Sequence, residues 1–174
     1  MTRENLEAKA EKTLRDTDTF RVPVAIDLVA QRLNLTMEAG ALGDDDSCML
    51  IIRGERGAIG YNSGHARVRQ RFTISHEIAH FLLHAKRGGK PQLFIDRYVA
   101  FRRDASSSAG VDRDEVEANQ LGAALLMPQR LVQQEIRNNE LDLDDEDAIS
   151  FLAKRFQVSS AAMTKRLGNL GILL

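Results

Sequence analysis

Residues 66–84 constrain the fold most. Ile74, Ile78, Phe81 and Leu82 recur there at the helical period and predict one long helix, ending near His84, whose apolar stripe must be buried. His76, Glu77 and His80 belong to that helix, so its geometry sets theirs. Other helical stripes surround it. Leu6, Ala10, Thr13 and Leu14 mark a helix through the first 15 residues, and Ile26, Val29, Ala30 and Leu33 mark a second, with Pro23 in its first turn and an end near Asn34. A helix beginning at Asp112, with acidic residues at its positive end, runs through Ala118, Gly122, Ala123 and Ala124 to Met127, where Pro128 opens the next element. Two shorter helices follow over 147–156 and 160–167, with Ser159 as the cap between them.

Strand signals are confined to the middle of the chain. Leu35 and Met37 alternate with polar neighbours, residues 49–52 form a compact apolar run, and residues 58–61 follow the turn at 53–57. Residues 92–98 read as one more short strand. The pattern predicts an α+β fold in which a small antiparallel sheet packs against the His76 helix and the Asp112 helix. With no internal repeat and no linker, residues 1–174 read as a single domain whose last part, about 128–174, is helical. Residues 43–47 read as a solvated acidic loop, because their like charges repel and they lack the ligand spacing of a calcium loop. Residues 102–110, with three consecutive serines, read as a flexible segment.

Composition then narrows the function. Hydrophobic residues make up 43% of the chain, enough for one core. A net charge of -1 and a pI near 6.4 argue against a protein that coats nucleic acid. Cys48 has no cysteine to pair with, the opening residues are charged rather than apolar, and no apolar run approaches the roughly 20 residues of a membrane helix. The expectation is a reduced, cytoplasmic protein with no membrane partner.

Residues 76–80 spell HExxH. Two histidines four apart on a helix lie about 6 Å apart along one face, so both imidazoles reach a single ion at the ~2.1 Å that zinc prefers. Glu77, one position round, is placed to act on a water rather than on the metal, which is what a general base requires. A catalytic zinc takes three protein ligands and leaves a fourth position open. Glu115 is a candidate third ligand: Ala118 and Gly122 on its face are small enough to let the two helices approach closely. On pattern alone Glu115 reads equally well as an acid complementing the helix dipole. Glu117 lies about 200° round the helix from Glu115 and does not serve the same site. His84, carried some 80° from His76, reads as a helix-terminal histidine. His65 and Tyr61 are weaker candidates for a stabilising role.

The segment His76-Glu77-Ile78-Ala79-His80-Phe81-Leu82-Leu83-His84, preceded by Arg71-Phe72-Thr73-Ile74-Ser75 and followed by Glu115-Val116-Glu117-Ala118-Asn119 and Leu125-Leu126-Met127-Pro128, resembles the ImmA/IrrE family of zinc metallopeptidases. The similarity runs from about Pro23 to residues 152–167. It implies a zincin-like helical core with a thermolysin-type active site and one zinc per chain, held by His76, His80 and Glu115. It also implies Glu77 as general base and Asn119 as a partner orienting His76. The chain departs from the family pattern at Leu121, where an aromatic residue is usual, and at Gly122, where alanine is usual. The resemblance further implies a protein substrate, a helix-turn-helix repressor whose cleavage relieves repression of mobile-element, phage or stress-response genes. An extended substrate is expected along a sheet edge, with residues 58–62 the first choice.

The competing reading is a DNA-binding or regulatory partner module, as in toxin-antitoxin pairs, with a zinc site that is structural or inactive. Residues 151–167 have helix-turn-helix-like spacing, with Lys154, Arg155, Lys165 and Arg166 as possible phosphate contacts. From Glu140 onward, however, four basic residues face six acidic ones, a balance of -2, which argues against direct nucleic-acid binding. Glu77 counts against a purely structural zinc, which has no use for that carboxylate.

Overall fold

The apolar stripes become helices with those stripes facing inward. The computed structural model describes residues 1–40, 46–85, 92–97 and 109–173. In chain order its elements are α1 (Arg3–Asp16), α2 (Ile26–Arg32), β1 (Leu35–Gly40), β2 (Asp46–Arg53), β3 (Arg56–Asn62), α3 (Arg67–His84), β4 (Gln92–Arg97), α4 (Ala109–Leu126), α5 (Gln129–Asn138), α6 (Glu146–Phe156) and α7 (Ser160–Leu170). The fold is α+β.

Helix boundaries follow local chemistry. Thr2 caps α1 by accepting from the Asn5 N–H, and Leu6, Ala10, Thr13 and Leu14 are its buried face. Ser159 caps α7 in the same way, accepting from the Ala162 N–H at 3.1 Å. Between α6 and α7, Gln157 takes a left-handed conformation (φ 55°) that ends α6. Helix α2 starts at Ile26, so Pro23 precedes it rather than occupying its first turn. Helix α5 is the element that Pro128 opens, with Pro128 at its N-cap, though the pattern does not assign its C-terminal end. Helix α4 begins three residues earlier than its acidic residues suggest, so Ala109 and Gly110 are helical. The rest of the serine-rich segment, and most of the 43–47 loop, fall outside the described residues. Asp46 and Ser47 belong to β2.

The sheet corrects the expected topology. Its order is β1-β3-β2-β4, with β2 antiparallel to both β3 and β4 but β1 parallel to β3. Hairpin reversal at Gly54, where φ is +64°, makes β3 run in the direction of β1. Alternation marks a strand but carries no information on which neighbour it will find. Residues 58–62 therefore lie in an inner strand, paired on both sides, and the outer strands are β1 and β4.

Helix α3 packs against β2 and β3 on one hand and α4 on the other, and α1 packs along α4. Ile74 and Ile78 of α3 are fully buried, each contributing about 2 kcal/mol of hydrophobic stabilisation. The core continues through Leu121, Leu125 and Leu126 of α4 to Leu152, Phe156, Met163 and Leu167 of the last two helices. Among the described residues no helix is long and apolar enough to cross a membrane.

Candidate metal centre

The pitch of α3 stacks the two histidines. Their ring centroids are 4.5 Å apart, and their Nε2 atoms approach to 2.9 Å. Both residues are only 3% exposed. Helix α4 supplies the third group because it comes unusually close. A Cβ on Gly122 would lie 3.2 Å from the backbone N and Cα of His76, tighter than nearly all real Cβ contacts, so the missing side chain lets the seam close a few tenths of an ångström further. Glu115 is seven residues before Gly122, within about 20° of two full turns, and so shares its face. Its Oε2 lies 3.3 Å from His76 Nε2 and its Oε1 3.2 Å from His80 Nε2.

These spacings fit a metal ion. A tetrahedral centre with ~2.1 Å bonds has ligand atoms about 3.4 Å apart, close to the separations of 2.9, 3.2 and 3.3 Å found here. All three donor atoms fall within 4.8 Å of one another. The two-nitrogen, one-oxygen set suits a borderline divalent cation and is the composition of an open catalytic zinc site. Hydrogen bonding from His76, then from His80, holds the Glu115 carboxyl well below the usual carboxylate range, with burial opposing. The carboxylate is thus anionic at neutral pH, as a ligand must be. It is also the open side of the centre, with 43% of its side chain exposed.

Glu77 is fully buried, both carboxylate oxygens included, about 100° round α3 from His76. The remaining candidates separate from the cluster. His84 stacks on His80 at 5.5 Å but is not among the three converging groups. Glu117 faces away, toward the Met1 amine and Arg113. His65 sits in the turn before α3, where burial and then Arg69 push its imidazole below the usual histidine range. Tyr61 is half-buried on β3. Asn119, one turn beyond Glu115, is exposed.

A model of the IrrE N-terminal-like domain, a peptidase family, matches residues 24–168. The chain belongs to that family. The match covers β1 to β4, both ligand-bearing helices and nearly all of α7, leaving α1 outside it. No curated protein matches the chain significantly.

Two cations are buried in ways the sequence does not announce. Arg71 of α3, 3% exposed, donates to the carbonyls of Val24, Phe156 and Gln157 at 2.9, 3.4 and 3.1 Å. Arg166 of α7, 4% exposed, is bound to Met127 and Glu7. The rival reading's phosphate contact at Arg166 is not supported: its guanidinium is buried against Met127 and Glu7. Arg155 is committed too, pairing with Glu135 at 2.9 and 3.2 Å. Periodicity marks an arginine as polar and gives no sign of carbonyls waiting for it across the fold.

Proposed function

We propose that this protein is a zinc-dependent metalloendopeptidase in which His76, His80 and Glu115 hold the metal and Glu77 moves the proton. The observation that carries this reading is the convergence of the three donor atoms beside a buried carboxylate in a peptidase-family domain. When bound, zinc supplies Lewis-acid polarisation of the scissile carbonyl and lowers the pKa of water. Glu77 takes a proton from the attacking water and returns it to the departing amine, and burial shields it from bulk solvent between the two transfers. The half-exposed Glu115 leaves the centre open on one side to a peptide. A zincin-like arrangement of sheet, α3 and α4 accommodates that peptide in extended form against an outer strand, β1 or β4.

The proposed substrate is a helix-turn-helix repressor, and its cleavage would relieve repression in the cytoplasm. This assignment follows the family resemblance. The α6–turn–α7 pair, though helix-turn-helix-like in spacing, supports the rival DNA-binding reading poorly, because Arg155 and Arg166 are engaged within the fold. The decisive test is zinc quantification together with incubation against a helix-turn-helix regulator encoded beside this protein, with Glu77→Gln as control. Cleavage by the unsubstituted protein and none by the variant supports the proposal. Cleavage by both rejects the role of Glu77, and cleavage by neither rejects the substrate.

A further inference from the structure

Helix α4 must be placed in two directions for Glu115 to meet the histidines: in its separation from α3 and in its position along its own axis. Gly122 settles the first by direct contact with the His76 backbone. It does little for the second. Leu121, Leu125 and Leu126 of α4 interlock with the core, but the seam that faces α3 at Ala118 and Gly122 is made of small residues and offers little axial grip of its own, so directional bonds add a restraint that the seam lacks. Those bonds lie at the opposite end of the helix. Arg166 Nε donates to the Met127 carbonyl at 2.9 Å, immediately past the last residue of α4, where helix carbonyls lack intrahelical partners. Its two terminal nitrogens meet the two oxygens of Glu7 on α1, each at 2.7 Å, a bidentate pair. Helix α1 itself packs along α4 and lies before the family-matched stretch.

We propose that Arg166 is a positioning residue for the metal centre: the Glu7–Arg166–Met127 link fixes α4 along its axis and thereby holds the Glu115 carboxylate against both imidazoles. The inference rests on the metal-binding reading above. Twelve residues, about 18 Å of helix, separate Glu115 from Met127, and a hydrogen-bonded helix passes an axial shift along its length nearly undiminished. Small shifts matter, since designed and natural sites fail when ligands stray by about 0.5 Å. A buried ion pair contributes little net stability against a well-packed apolar alternative, so stability alone is a weak account of this link.

Cobalt(II), titrated into the metal-free full-length chain, is the probe, because its d–d absorption reports coordination geometry independently of turnover. Glu7→Gln and Arg166→Lys are each expected to weaken cobalt binding by about threefold to tenfold, less than the loss of a direct ligand partner, and to alter the d–d band at a temperature where circular dichroism shows the variant folded. Glu11→Gln is the control. It is on the same helix, but its carboxylate meets Arg130 at the rim and should leave affinity and spectrum unchanged. Should Glu7→Gln fail to fold, Arg166→Lys keeps the charge and carries the comparison. Variants that melt earlier yet bind cobalt with unchanged affinity and spectrum overturn the proposal. An unsubstituted chain that binds no cobalt overturns the metal reading as well, which separates the two failures.

Discussion

Arg71 and His76 stand five residues apart on α3, each 3% exposed, in surroundings opposite in kind. Around Arg71 a donor-only side chain meets three backbone carbonyls, each of which accepts from it, so charge and acceptors are paired within the protein. Around His76 the reverse holds. Two imidazole nitrogens and a carboxylate converge on one another, three groups that each carry a lone pair able to bind a metal. Burial and polarity are common to both places. What separates a structural clamp from a candidate metal centre is the aim of the groups: donors meet carbonyls around Arg71, whereas three potential ligands point at one place around His76.

That contrast is open to attack in order of effect. Replacing His80 with alanine is expected to abolish stoichiometric zinc and proteolysis together, as read by metal analysis after dialysis; a variant that keeps about one zinc per chain would place the site elsewhere. Glu77→Gln should keep its zinc but lose about 10²–10⁴-fold in turnover, measured as single-turnover cleavage, because a general base acts on the proton and not on the metal. Arg71→Met addresses the other side of the comparison. Stranding buried carbonyls is expected to destabilise the fold by about 2–4 kcal/mol in denaturant titrations while zinc stoichiometry stays unchanged, and a stable variant that lost zinc would break the distinction. The smallest effect is expected for Asn119→Ala, which should weaken metal affinity by less than about threefold; a tenfold loss would support the orienting role that family resemblance gives this residue.

Much of this was legible in the chain because helical information is local. Leu6, Ala10, Thr13 and Leu14 are the buried face of α1 as their spacing predicts, and HExxH dictates the histidine stack through helix pitch alone. Glu115 was harder, since its alignment with the histidines depends on a second helix. The small residues at Ala118 and Gly122 were the clue, and they do permit the close approach. What escaped was long-range. The parallel β1–β3 pairing joins strands that are not consecutive in the chain, which alternation along one segment cannot announce. The burial of Arg166 depends on Glu7, 159 positions away, a partnership that no window along the chain contains.

The bare hydrogen at Gly122 gives the two helices a shared coordinate. A methyl group placed there meets His76 backbone atoms at 3.2 Å, so enlarging this residue stretches the distance between the carboxylate on one rod and the imidazoles on the other without touching any of them. Under the proposed metal-binding reading, this position is a tuning screw outside the three candidate ligands, adjustable in steps of a few tenths of an ångström.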